Sequence, residues 1–110
     1  MLPAALRLGS SPKIAATLKS GRRYASRSIV LHVLTVPNDE KRVAFAVSKK
    51  VGNSVVRHKV TRKLRQCVTQ NANLIPPGVQ IVVRALPEAA NLNFSQINEE
   101  FLTIIKKIGS

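Results

Sequence analysis

Residues 42–65 read RVAFAVSKKVGNSVVRHKVTRKLR. The opening Arg42–Ser48 alternates, with Val43, Phe45 and Val47 on one face and the small Ala44, Ala46 and Ser48 on the other. That is the period of a strand packed on one side. Lys49-Lys50-Val51-Gly52 then turns the chain, and Asn53 is placed to cap a helix running to about Gln70. At 100° per residue, Val56, Val60, Leu64, Cys67 and Val68 fall within about 120° of arc, the width of a core-facing stripe. His58, Lys59, Arg62 and Arg65 fall on the far side, and Arg57 and Lys63 flank the stripe. A strand, a glycine turn and a basic amphipathic helix in succession make this an α+β chain and put its charge on one surface.

Upstream, Ser11-Pro12 predicts a helix start, with Ser11 as N-cap and Pro12 at the first helical position. Ile14 and Leu18 lie one turn apart on one face of that helix, and Gly21 ends it. Ser28–Val36 is β-branched and apolar: Ile29, Leu31 and Val33 point one way, and Val30, His32, Leu34 and Val36 the other. Pro37-Asn38-Asp39-Glu40 is a turn by composition. The two flanking strands are therefore expected to form an antiparallel hairpin. Downstream, residues 71–78 form a loop containing Pro76-Pro77-Gly78, Val79–Ala85 is a short strand, and residues 86–94 form a second loop. A last helix is predicted from about Ser95 to Ile108. Ile97, Phe101, Ile104, Ile105 and Ile108 form its buried face, acids lie near its start, and lysines lie near its end. The residues alone give αββαβα in a single domain over 1–110, helices packed on one small sheet, with residues 1–10 expected to be flexible.

Charge then says what such a domain is for. The 110 residues carry 18 Lys+Arg and 5 Asp+Glu, a formal net charge of +13. Residues 1–65 hold the whole excess, because residues 66–110 balance to zero. Charge concentrated in this way fits a surface for a polyanion, whereas a solubility device would be spread along the chain. At 45% hydrophobic residues the chain has material for a core and is not a disordered basic tail. No apolar run nears the roughly 20 residues that span a bilayer, so no membrane association is expected. The single cysteine excludes a disulfide framework and fits a reducing compartment, so the expected location is the cytoplasm. The basic, serine-bearing residues 1–38 invite comparison with a transit peptide. Pro3, Gly9 and Pro12 break any long amphipathic helix there, and a removable leader would not contain the core strand that begins near residue 29.

The cations that carry chemistry are Lys49, Lys50, Arg57, His58, Lys59, Arg62, Lys63 and Arg65, with Asn53 at the helix start. Free N–H groups, a partial positive charge and a closely approaching glycine suit a phosphate oxygen, and arginine adds bidentate contacts. No acids accompany these charges at i,i+4, which a merely solvated helix face would normally show. His32, His58 and Cys67 lack metal-ligand spacing, and Cys67 belongs to the apolar stripe. Asp39, Glu40, Glu99 and Glu100 form no evident acid–base pair. No catalytic residues and no protein-held metal are therefore expected. Tyr24, Phe45, Phe94 and Phe101 are the only aromatics, and three of them sit at core-like positions, too few for a base-stacking platform.

The stretch Arg42–Arg65 resembles the pattern of the bacterial ribonuclease P protein subunit. That pattern is a strand ending in Ser-Lys-Lys, then Gly-Asn-Ala-Val, then a helix opening Arg-Asn-Arg and continuing with Arg and Leu-Arg. Leu6-Arg7-Leu8, Lys19-Ser20-Gly21-Arg22-Arg23, Val30-Leu31-His32 and Val79–Arg84 also fall where the family has counterparts. The resemblance implies a two-layer αβββαβα sandwich with a small mixed sheet, its extra strand near Arg22–Ser26. It also implies a left-handed βαβ crossover, where pattern alone would predict a right-handed one. In function it implies a subunit of an endoribonuclease that works as a ribonucleoprotein. The partners are the catalytic RNA and precursor tRNA, whose 5′ leader is removed, and no protein partner is required. The chemistry and the Mg²⁺ are held mainly by the RNA. The family's RNA-facing helix carries over to Lys49, Lys50, Asn53, Arg57, Lys59, Arg62 and Arg65, and its leader cleft to Ile14, Leu18 and His32. This chain departs from the pattern at Arg57-His58-Lys59 and at Thr61, and its cleft positions are aliphatic or His where the family often has aromatics. The alternative reading is a general or ribosome-associated RNA-binding protein with no nuclease role. A self-sufficient nuclease would need acidic metal ligands that the sequence does not present.

Overall fold

The computed structural model of the chain describes residues 2–108. Three helices, α1 (Ser11–Ser20), α2 (Ser54–Gln70) and α3 (Phe94–Ile108), pack on four strands, β1 (Arg22–Ala25), β2 (Ile29–Thr35), β3 (Lys41–Ala46) and β4 (Val79–Ala85). The order is αβββαβα, with β1 supplying the strand that the resemblance implies. Short 3-10 turns occupy Ala4–Leu6, Ala72–Leu74 and Pro87–Asn91.

The sheet order is β1-β2-β4-β3. The expected hairpin between the second and third strands does not form. β4 lies between them, antiparallel to β2 and parallel to β3. The reason is that β4 is apolar on both faces. Val79, Ile81 and Val83 face one way and Val82 the other, all buried, which suits a central strand better than an edge. Residues 36–40 therefore stride across the start of β4 instead of closing a hairpin. Gly78 accepts from the Val36 N–H at 2.9 Å, and the N–H groups of Gly78 and Val79 donate to Glu40 O at 2.9 and 3.0 Å. Gly78 makes this crossing at φ +77°, a left-handed conformation that glycine adopts without a Cβ penalty.

Alternation along the strands divides the core. Ile29, Leu31, Val33, Val43, Ile81 and Val83 meet Val60, Leu64, Cys67 and Val68 of α2 and Ile97, Phe101, Ile104 and Ile105 of α3. This is the two-layer sandwich. The opposite face carries Val30, His32, Gln80 and Val82, and α1 crosses part of it against β2 and β4. There the buried Thr17 hydroxyl donates to Gln80 Oε1 at 3.3 Å.

Helix ends follow local chemistry. Ser10, one residue before the predicted cap, accepts from the Lys13 N–H at 3.5 Å, so α1 begins at Ser11. Asn53 caps α2 as expected, accepting from the Val56 N–H at 3.0 Å. Asn93 and Gln96 form a reciprocal box, each side chain accepting from the other's N–H at 2.9 Å, and this starts α3 at Phe94 rather than Ser95. Within residues 2–10, expected from sequence to be flexible, several groups make contacts with the domain; Met1 lies outside the described residues. Leu2 and Leu8 are buried, Leu8 N–H donates to Val43 O at 3.0 Å, and Arg7 bridges to Val43, so this segment covers the outer edge of β3. An uncovered sheet edge and two exposed leucines would both cost free energy, and one docking relieves both.

Candidate nucleic-acid interface

The chain between β3 and α2 displays charge because its backbone turns twice. Val51 N–H donates to Ser48 O at 3.1 Å and Gly52 N–H to Lys49 O at 3.2 Å, which buries Val51 and leaves Lys49 and Lys50 exposed. Asn53 is exposed while it caps α2, and the first turn of the helix has no acid. The partial positive charge at this N-terminus is therefore not offset from within α2.

His58, Lys59 and Arg62 are exposed on the outer face of α2, with Ser54 and Val55 between them. Arg57 and Lys63 flank the apolar stripe and are half-buried, as their helical angles require. Arg57 Nε is buried without a hydrogen-bond partner. Lys63 is different: its Nζ donates to Leu92 O at 3.0 Å, tying α2 to the turn before α3. Arg65 also departs from the expected far side. It is half-buried and lines a groove of about 320 Å³ with Leu2, Leu8, Ile14 and Phe45. Arg57, Thr61 and Arg65 recur at i, i+4 and i+8, so one side of α2 looks toward the covered edge of β3.

The three leader-cleft positions lie on α1, at Ile14 and Leu18, and on β2, which α1 contacts, at His32. Ile14 lies in the Arg65 groove, Leu18 is 39% exposed, and His32 is buried at 7% exposure on the α1 side of the sheet. His32 Nε2 is 3.4 Å from Arg84 Nη1, and Arg23 is its cross-strand neighbour on β1. Burial, then the charges of Arg84 and Arg23, lower the pKa of His32 and keep the ring neutral. Sequence reading missed Arg7, Arg23 and Arg84 as members of these surfaces.

Three of the acids are occupied and the thiol is shielded. Glu40 pairs with Arg42 and Glu88 with Arg27. Glu100 accepts from Ser26 Oγ and from both Ser28 N–H and Ser28 Oγ. Burial pushes the Cys67 thiol up to about 12, so it stays protonated and inert.

The family model for Ribonuclease P matches residues 2–109. The chain belongs to the ribonuclease P protein family. It is 38% identical over 109 residues to the ribonuclease P protein component of Mycobacterium sp. (strain KMS), covering 97% of this chain and 92% of that protein. It is also 38% identical over 110 residues to the ribonuclease P protein component of Acidothermus cellulolyticus, covering 98% and 92%. Among solved structures, the Staphylococcus aureus RNase P protein superposes with a TM-score of 0.82 at 28% identity, covering 96% of each chain. The Thermotoga maritima RNase P protein shares the fold, with a TM-score of 0.83 at 24% identity over 92% of this chain and 96% of that one. Membership of the ribonuclease P protein family implies RNA binding and a part in tRNA processing for this chain. Among the described residues, no helix is long and apolar enough to cross a membrane.

Proposed function

We propose that this subunit holds the catalytic RNA of ribonuclease P through Lys49, Lys50, Asn53 and the exposed face of α2, and holds the 5′ leader of precursor tRNA on the α1 side of the sheet. The hydrolysis belongs to the RNA partner, and the assembly works in the cytoplasm. The observation that carries this reading is the run from Lys49 to Arg65. Its exposed cations face outward beside an uncompensated helix N-terminus, the arrangement that phosphate oxygens complement. Among the described residues no group of three or more His, Cys, Asp or Glu side chains stands where it could hold a metal ion. The reading assigns Mg²⁺ to RNA phosphates.

The test adds purified protein to a bacterial ribonuclease P RNA at low Mg²⁺ and follows cleavage of precursor tRNA. Rescue of cleavage by protein that is inactive alone supports the reading. Indifference of the RNA to the protein would instead favour a general RNA-binding role.

A further inference from the structure

The two edges of the sheet are finished differently. Residues 2–8 cover β3, where Leu8 N–H donates to Val43 O and Arg7 bridges to Val43. β1 is the other edge and pairs with β2 alone. Ser26 N–H donates to Ile29 O at 2.9 Å, so those two residues form a hydrogen-bonded pair at the end of the β1–β2 ladder. Antiparallel alternation then turns the N–H and C=O of Tyr24 and Arg22 inward to β2 and leaves those of Arg23 and Ala25 pointing outward. Among the described residues no other backbone group pairs with them.

An open edge invites a further strand, and the side chains at this one select which. Arg22, opposite Val33, projects to the α3 side, and Arg23, opposite His32, to the α1 side. Both are exposed, and neither forms an ion pair among the described residues. A second copy of β1 would add two more arginines and no acid, so like charges oppose it. On the α3 side a cleft of about 340 Å³ lies beside the edge. Tyr24, Val33, Pro76 and Ile108 give it apolar walls, Arg22 and Lys107 stand at it, and no acid lines it. The Arg22 guanidinium is 5.5 Å from the centroid of the Tyr24 ring, a cation–π contact that orders its donors beside the cleft.

We propose that β1 is a docking edge for an extended acidic segment of a partner protein. The segment adds a strand antiparallel to β1, sets acids against Arg22 and Arg23, and places an apolar side chain over Tyr24. A peptide fits better than RNA because the outward groups of Arg23 and Ala25 are acceptors as well as donors. A peptide backbone meets both kinds, whereas phosphate oxygens meet only the donors. The edge stands about 14 Å from β3, at ~4.8 Å per strand, and α2 with its exposed cations follows β3 in the chain. The docking edge is therefore separate from the α2 surface and does not depend on what that surface binds.

The probe is a short capped peptide in which a valine precedes two adjacent glutamates in a threonine background. It carries a fluorophore and is titrated with the full chain while anisotropy is followed. In the proposed register the first glutamate lies opposite Arg23 and points its N–H at β1, and the second lies opposite Arg22 and points its N–H away. N-methylation of the first should abolish binding, and N-methylation of the second should leave most of it. Replacing Arg22 and Arg23 together by Ala should weaken binding about 2- to 30-fold, the scale of two cross-strand charge pairs. The Lys59→Ala, Arg62→Ala variant should bind the peptide as the wild type does, which separates the edge from general attraction to a basic protein. The methylated peptides test the wild-type chain, so the outcome does not hang on how a variant folds. No binding of the unmethylated peptide, or equal binding of the two methylated ones, overturns the proposal. So does an equal loss in the Lys59→Ala, Arg62→Ala variant, displacement of the peptide by oligouridylate through Arg22 and Arg23, or sedimentation of the free chain as a dimer that the peptide dissociates.

Discussion

Lys59 and Arg62 against Lys63 make the sharpest test of which α2 cations meet RNA. Lys59 and Arg62 are exposed. Lys63 follows Arg62 directly in sequence but spends its ammonium on Leu92 O, 3.0 Å away. If each exposed cation neutralises one phosphate, the Lys59→Ala, Arg62→Ala double variant should lower the log–log salt slope of RNA binding by about 1.4–1.8, at ~0.7–0.9 per contact. Lys63→Ala should leave the slope unchanged. It should instead cost about 1–2 kcal/mol of stability, the scale of a part-buried hydrogen bond from a charged donor. Filter binding of the catalytic RNA across 50–200 mM salt gives the slopes, and thermal melting of the protein alone gives the stability. If Lys63→Ala flattens the slope as much as Arg62→Ala while the melting temperature holds, then Lys63 is an RNA contact and its bond to Leu92 is incidental.

Glu100→Ala should destabilise the domain by about 2–3 kcal/mol, because it leaves the buried Ser28 N–H and two hydroxyls without their shared acceptor; chemical denaturation reads this out. The same carboxyl gives a pH signature: burial pushes it up, but Ser26, Ser28 and the Arg27 charge outweigh that and hold it below its ordinary value. Its contribution should thus be complete above the unfolded-state pKa and be lost as pH falls through the lower folded value, and the Ala variant should lack this acid-side loss. Gly78→Ala forces a Cβ into φ +77° and to 2.9 Å from Asn38 O, which should cost about 2–3 kcal/mol and lower the melting temperature by roughly 8–20 °C.

Most of the strands and helices were legible because periodicity is local: the alternation in Arg42–Ser48 and the apolar stripe from Val56 to Val68 each need only their own residues, whereas the four-residue β1 is too short and too exposed to show a period. Neighbour relations in the sheet were not, because alternation assigns faces and leaves partners open. The turn residues at 37–40 suggested a hairpin, and the contrary signal lay elsewhere, in the two-sided apolarity of Ile81, Val82 and Val83. The same distinction separates the parts of the candidate site. The outer face of α2 follows from helical angle alone, so His58, Lys59 and Arg62 were placed correctly.

Lys63 and Arg65 depend on what packs beside the helix, and their neighbours come from Leu92 and from residues 2–8. The Arg23–His32–Arg84 cluster lies further still from local reading. Arg23 and His32 are nine positions apart and His32 and Arg84 are 52 apart. They meet only because β1 and β4 pair with β2 in one register. A slip of one residue in either pairing would turn the arginine to the α2 and α3 side of the sheet. That same register buries the core set Ile29, Leu31, Val33, Ile81 and Val83 on that side, so the apolar residues that stabilise the sheet also fix where its cations gather. Core packing and the gathering of these cations are two consequences of one alignment, and a substitution that shifts β4 against β2 should disturb both together.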